Sequence, residues 1–373
     1  MRKINVGLSI QINDKDDSFW VNGIKQNAVT LREMFSHCPN VGSSKLINLG
    51  ALKDYKGTVW EPFADDIIDF EACLDQLDVV ITATVSFSSA MIDRLESKGI
   101  PIVKQIMGNE YAIFSEQMLF KEESTNDYGK RRNHKAAWIS PHFYEQNKDF
   151  FEIIIDNPTY IGPYIWSPRF IEQHARDCKE QLGFESQYVP RGNEAKSLST
   201  FEPNINILKT CLTPVIITEK FYRKAPHLLD KMNVFGSSIL TKKKILVDFV
   251  KDLSVYKDKK MFFEARYPMA WSLLKHTDIV VAHQRDLALN YAYFDAAWLG
   301  FPVVHNSHML KDIGFYYEDW DADQASDILI DVAKDFDSEY EAYKKQSREA
   351  ISRFLPDNQD NINEYARLLE LVV

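Results

Sequence analysis

The chain has 373 residues, of which 45% are hydrophobic and 26% charged, with 14 glycines and 14 prolines; this excludes fibrous, disordered and low-complexity classes and leaves apolar material for two domain cores. Its 54 acidic and 44 basic residues give a net charge of -10, which disfavours coating nucleic acid or anionic lipid unless a local basic patch overrides the average. No stretch approaches the ~18 uninterrupted apolar residues of a membrane span, the opening MRKINVGLSIQINDKDDSFW is too interrupted for a signal peptide, and Cys38, Cys73, Cys178 and Cys211 are widely spaced. These features predict a soluble, cytoplasmic protein with free thiols and no zinc site.

The first half alternates strand-like and helix-like stretches. Residues 3–10 read as a buried strand, and 23–35 (GIKQNAVTLREMF) place Ile24, Ala28, Leu31 and Phe35 on one helix face. A short strand over 45–49 is followed by a stronger one over 78–84 (DVVITAT), a helix over 89–98 and a strand over 101–107 (PIVKQIM) entered through Gly99. Helices of this length between apolar strands form right-handed crossovers, so the pairing is predicted to be parallel. Residues 121–135 are polar and read as an exposed loop, 136–140 as a strand and 143–151 as a helix. The stretch 158–168 (PTYIGPYIWSP) holds three prolines and a glycine and reads as irregular; with the polar 182–200 it predicts a domain crossing.

The second half restarts the rhythm, with short strands over 205–208, 215–218, 232–235, 261–264 and 278–282 (DIVVA). A helix over 287–299 places Leu287, Tyr291, Phe294 and Trp298 on an apolar face, Gly300 ends it, and 301–304 form the next strand. Helices over 337–354 and 361–371 flank Pro356. The whole predicts an α/β protein of two tandem Rossmann-like, doubly wound domains facing a central cleft. The expected divisions are a first domain over 1–165, a connecting segment over 166–200, a second domain over 201–355, and a C-terminal helix over 356–373 packing back on the first domain.

In such sheets ligands sit beyond the carboxyl ends of the strands. After the first strand come Trp20, Asn22, Gly23, Gln26 and Asn27, whose amides and glycine at a helix start suit a hydroxyl-rich or phosphate-bearing ligand. The dinucleotide GxGxxG pattern is absent.

The stretch 278–307, DIVVAHQRDLALNYAYFDAAWLGFPVVHNS, resembles the nucleotide-sugar site of GT-B glycosyltransferases, in which an acid-bearing helix closes with Gly-x-Pro and a buried strand. Asp295 falls on the family glutamate that binds the donor ribose, whereas the partner glutamate of retaining members falls on Leu287, a departure from the paired motif. The phrases NGIKQNA, YIWSP, EPNINILKT, LNYAYFDAAWLGFPVVHNS and GFYYEDW are similar to the bacterial DUF2827 family, associated with GT-B-like glycosyltransferases. The resemblance implies transfer of a sugar from a nucleoside diphosphate sugar, as co-substrate, to a hydroxyl acceptor on a glycan, lipid-linked or other molecule, with no other cofactor and no metal.

A leaving diphosphate develops negative charge, and a metal-independent transferase must meet it with cations or helix N-termini. Lys209 in NILKT and Arg266 in FEARYP follow second-domain strands, where GT-B enzymes keep phosphate-binding groups. Asn290 and Tyr291 stand about one turn before Asp295. His283 with Gln284, and His305 with Asn306 and Ser307, are polar clusters at neighbouring strand ends with spacings unsuited to zinc. On the acceptor side Asn22, Gly23, Gln26 and Asn27 are expected to read the hydroxyl, and Glu110 (MGNEY) or His142 (ISPHFY) to take its proton. Two other readings fit the same architecture: a nucleotide-sugar epimerase and a non-catalytic two-domain small-ligand binding protein.

Overall fold

The computed structural model describes residues 2–19, 23–120 and 133–373. The chain divides into two compact units, Met1–Ser167 with Arg353–Val373, and Pro168–Ser352.

In the first unit the apolar runs become strands buried on both faces, as parallel sheets require. The elements are β1 (Ile4–Ile10), α1 (Gly23–His37), β2 (Val41–Asn48), β3 (Ile67–Asp69), α2 (Phe70–Gln76), β4 (Val79–Thr82), α3 (Ser89–Ser97), β5 (Ile102–Ile106), α4 (Glu110–Phe120), β6 (His134–Ile139), α5 (Tyr144–Ile155) and β7 (Thr159–Ile161). The strands form one sheet ordered β3-β2-β1-β4-β5-β6-β7, with every pair parallel. The order reverses between β1 and β4, the switch point of a doubly wound sheet. α1 buries Ala28, Leu31 and Phe35, but Ile24 at its first turn is half exposed. The chain's last helix, Gln359–Glu370, belongs to this unit: its Tyr365 ring meets Phe35 and Trp138, and its hydroxyl donates to the carbonyl of Pro163 at 2.9 Å.

Two expectations change here. The proline-rich stretch contains the edge strand β7, tolerated because Pro158 and Pro163 flank it rather than interrupt it. The expected loop over 121–135 gives its last two residues to β6, while 121–132 lie outside the described residues.

The second unit runs α6 (Arg169–Leu182), β8 (Lys196–Thr200), α7 (Leu212–Lys224), β9 (Leu229–Val234), α8 (Lys244–Val250), α9 (Ser254–Lys257), β10 (Met261–Phe263), α10 (Met269–His276), β11 (Ile279–Val281), α11 (Tyr291–Trp298), β12 (Val303–His305), β13 (Phe315–Tyr316) and α12 (Ala322–Ile351); the last helix of the chain is then α13. Its sheet order is β10-β9-β8-β11-β12-β13, again parallel, with the switch point between β8 and β11.

The first strand of this sheet is not where periodicity puts it. Residues 205–208 form a loop with Ile205 and Ile207 exposed, and 215–218 belong to α7, which buries Val215, Ile217 and Phe221. The true strand, β8, is the polar KSLST inside the expected connecting segment. It is buried because the polar groups of Lys196, Ser197 and Ser199 have fixed partners: the Lys196 ammonium pairs with Asp337 of α12 at 2.8 Å, the Ser197 hydroxyl donates to Asp230 at 2.8 Å, and the Ser199 hydroxyl accepts from Thr277 at 2.8 Å. Asp337 also accepts from the Tyr188 hydroxyl at 2.5 Å and the Arg191 amide at 2.9 Å; burial opposes its charge, but these donors hold its carboxyl below the usual range. α12 starts fifteen residues before the expected 337, capped by Asp321, which accepts from the Gln324 amide at 2.9 Å.

Candidate functional site

The carboxyl ends of β8 and β11 form the switch point of the second unit, and polar groups without protein partners gather there. Thr200 Oγ1 at the end of β8, His283 Nε2 just after β11 and the Tyr293 hydroxyl on α11 are buried with no hydrogen-bond partner among the described residues. Each such group costs roughly 1–3 kcal/mol of desolvation, which a hydrogen-bonding ligand would recover.

Glu202, two residues beyond β8, is only 4% exposed. Burial pushes its carboxyl up to about 7, opposed by the field of Lys209. The half-buried Lys209 is itself pulled below the usual lysine range, first by burial and then by Arg266, while Glu202 works the other way. The cations singled out in the sequence are therefore within each other's field, and an unpredicted acid, Glu202, lies within the field of Lys209. Asn204 braces the loop: its amide donates to the Glu202 carbonyl at 2.7 Å, and its Oδ1 accepts from the Cys211 amide at 2.8 Å. Gly236 packs against that carbonyl in the left-handed region at φ +70°, where a Cβ would lie 3.1 Å away. Tyr293 and Tyr317 both feel the Glu202 charge, but burial is the larger cause that raises their hydroxyls above the usual phenol range.

His283 Nδ1 lies 2.9 Å from the Tyr317 hydroxyl, which donates to the Ala282 carbonyl at 3.0 Å. With that proton committed, Nδ1 must carry the imidazole hydrogen and Nε2 is left with a lone pair. Burial, aided by Arg285, pulls the ring down to about 4, so His283 is neutral at pH 7 and Nε2 is an acceptor suited to a ligand hydroxyl.

The neighbouring polar residues have a different task. Asn306 clamps two loops, accepting from the Gln284 amide at 2.7 Å and donating to the carbonyls of Gln284 at 3.0 Å and Asp319 at 2.9 Å. The Ser307 hydroxyl donates to the Ala288 carbonyl at 2.5 Å, and its amide donates to His305 Nδ1 at 3.0 Å. His305 ends β12 fully buried, its Nε2 2.5 Å from the Ile313 carbonyl; burial lowers it to about 4.

α11 begins at Tyr291, not at 287, because the Asn290 side chain caps it by accepting from the Ala292 amide at 3.1 Å; Leu287 is buried in the preceding loop. Tyr291 and Asp295, one turn apart, share the half-buried face, while Tyr293, Phe294, Ala296 and Ala297 are buried. Of the expected apolar stripe, Trp298 is only half buried, its indole donating to Glu172 at 2.8 Å. Gly300 follows at φ +86°, where a Cβ would come within 2.7 Å of the Tyr340 ring; no other residue fits this turn into β12.

In the first unit Gly23 opens α1 and is exposed, the Gln26 amide donates to the Phe19 carbonyl at 2.9 Å, and Asn27 is half buried on the same helix; Trp20 and Asn22 lie outside the described residues. Glu110 is the half-buried first residue of α4. The neighbouring Asn109 is buried, accepting from the Ala112 amide at 3.2 Å and from the Asn147 side chain at 3.0 Å. His142 lies in the turn Pro141–Phe143, with its ring 4.2 Å from Phe143 and 5.3 Å from Tyr164. Among the described residues no group of three or more His, Cys, Asp or Glu side chains could hold a metal ion.

The chain is similar in structure to HepE of Anabaena, solved with UDP and glucose (10% identity, 98% of this chain and 99% of that one, TM-score 0.55). It is also similar to the sucrose-phosphate synthase of Thermosynechococcus elongatus (10%, 99% and 98%, 0.57) and to an α,α-trehalose 6-phosphate synthase of Burkholderia multivorans (10%, 99% and 100%, 0.54). At these identities the likeness shows the fold, that of GT-B glycosyltransferases. No curated protein matches the sequence. The model of DUF2827, described as a protein of unknown function, matches residues 6–369, and the chain belongs to that family.

Proposed function

We propose that the protein is a cytoplasmic, metal-independent glycosyltransferase that moves a sugar from a nucleoside diphosphate donor to a hydroxyl acceptor. The observation that carries this reading is the β8/β11 switch point, where Thr200, His283 and Tyr293 present unpartnered buried polar atoms beside the cations Lys209 and Arg266. Hydroxyls of a sugar or ribose can donate to His283 Nε2 and accept from Thr200 and Tyr293, while the cations meet the diphosphate charge that grows as the glycosidic bond breaks. Asp295 is assigned the donor ribose, since a carboxylate accepts from two hydroxyls at once. His283 is assigned to the donor directly, and Asn290, Tyr291, Asn306 and Ser307 to shaping its loops. The fold shared with HepE, which binds UDP and glucose, supports the same reading.

The first unit is assigned the acceptor. Gln26 and Asn27 are suited to a hydroxyl because amides donate and accept together. Glu110 or His142 takes the hydroxyl proton as the oxygen attacks the anomeric carbon and the bond to the diphosphate oxygen breaks. A reducing compartment agrees with Cys38, Cys73, Cys178 and Cys211, all free and buried, and no described helix is long and apolar enough to cross a membrane.

Product analysis with UDP-glucose as first donor tests the proposal. Nucleoside diphosphate released in step with a glycosylated acceptor supports it. An isomerised sugar from donor alone would establish an epimerase, and binding without turnover across donors and acceptors a binding protein.

A further inference from the structure

The edge of the second sheet carries a feature that donor chemistry does not use. Residues 241–260 contain seven lysines and three aspartates, a surplus of four positive charges in a chain of net charge -10. Lys244 and Lys251 pair with Asp248, and Lys257 with Asp252. Lys242, Lys243 and Lys259 have no ion-pair partner among the described residues. The segment and the turn before it expose large apolar side chains: Ile239 is 65% exposed, Ile245 83% and Phe249 38%, while Leu246 and Val250 anchor α8 to the unit. Beside them, against the edge strand β10, lies a cavity of about 430 Å³ whose walls include Lys251, Lys257 and Lys259.

We infer that this lysine-rich, apolar edge docks the protein on an anionic lipid surface, with Ile239, Ile245 and Phe249 entering the headgroup layer and the unpaired lysines meeting lipid phosphates. Exposed aliphatic side chains flanked by lysines are the composition of an interfacial anchor. Two copies could not bury this face against each other without bringing like charges together. A nucleic acid would leave Ile239 and Ile245 in water, and the segment has no arginine for base or phosphate forks. Docking would also orient the chemistry: the amides of Ser237 and Ser238, where the patch begins, donate to the Glu264 carbonyl at 2.9 and 3.0 Å, two residues before Arg266. The rim of the second unit's switch point would then lie near the surface.

Co-sedimentation of the full chain, without donor, tests this using phosphatidylcholine vesicles with and without about one third phosphatidylglycerol. The protein should pellet with the anionic vesicles and be released by salt. Lys242→Gln with Lys243→Gln should weaken partitioning by about 25-fold, at roughly fivefold per lysine, and Ile245→Ser by about tenfold. Absence of the wild-type chain from the anionic pellet at low salt, equal binding to neutral vesicles, or a dimer in light scattering that Ile245→Ser dissociates would each overturn the inference.

Discussion

The two units repeat one strand order, and their switch points can be set side by side. At β1/β4 the Ser9 hydroxyl accepts from the Ala83 amide at 3.0 Å and donates to the Val85 carbonyl at 2.6 Å, while Thr84 donates to the Ser9 carbonyl from its amide at 3.2 Å and its hydroxyl at 3.3 Å. The hydroxyl and carbonyl of Ser9 are both met by the residues that directly follow β4. At β8/β11 polar atoms of Thr200, His283 and Tyr293 have no hydrogen-bond partner among the described residues, and Glu202 is buried within the field of Lys209. At the second crossing the surrounding loops are fixed by Asn204, Asn306 and Gly236, and β8 is anchored near its amino end by the Lys196–Asp337 pair. Topology places both crevices, and they differ in how far the protein itself meets the polar groups there.

The largest effect should come from the cations. Lys209→Ala is expected to lower turnover by about 100-fold or more, the scale of losing one preorganised charge-stabilising group, while binding of the bare nucleoside changes little. Steady-state kinetics beside nucleoside titration checks this, and parallel losses in both would shift Lys209 to nucleoside recognition.

Glu202 gives a pH signature. Its folded pKa of about 7 lies above the ordinary 4.5, so the stability linked to its proton is full below pH 4.5 and is lost as pH rises through 7, by roughly 3 kcal/mol. Glu202→Gln should remove this slope, making the variant gain on the wild type in urea melts from pH 4.5 to 8. His283 and His305, lowered from 6.5 to about 4, act in the opposite sense: their contribution is present above pH 6.5 and is lost as pH falls through 4. They are unchanged in the variant and cancel in the difference.

Asp295→Asn should weaken donor binding by about 1.5–3 kcal/mol through loss of a charge-assisted bond. The smallest effects sharpen the contrast between crossings. Ser9→Ala strands the Ala83 amide and Val85 carbonyl and should destabilise by roughly 1–3 kcal/mol, whereas Thr200→Val removes an unpartnered hydroxyl and should stabilise the ligand-free protein by about 1 kcal/mol while weakening donor binding. If both variants lost stability alike, the two crossings would not differ in kind.

Much of this was legible where burial follows hydropathy. β1, β4 and β11 are largely apolar runs, and both doubly wound sheets follow from the alternation of such strands with helices. β8 was not legible, because KSLST is buried through partners such as Asp337 and Asp230 that lie far off in sequence. With β8 misplaced, Thr200 and Glu202 could not be seen as strand-end residues, although FEPN directly after it carries an acid where a loop meets a sheet. Lys209 stood out only as following an expected strand over 205–208 that is a loop, whereas Arg266 and His283 stood out as polar residues after strands. Asn306 and Ser307 stood out for the same reason, but only coordinates show that their polar atoms bind backbone. Nothing in the sequence marks Tyr293, whose unpartnered hydroxyl has no signature there.

The central claim is that the second unit's switch point holds the donor. Isothermal titration with UDP-glucose, then with other nucleoside diphosphate sugars, on the wild type and on Lys209→Ala, Asp295→Asn and Asn27→Ala tests it most directly. The account predicts saturable binding that the Lys209 and Asp295 variants weaken by at least about tenfold and the Asn27 variant leaves unchanged. Donor affinity lost in Asn27→Ala and retained in the other two would contradict it.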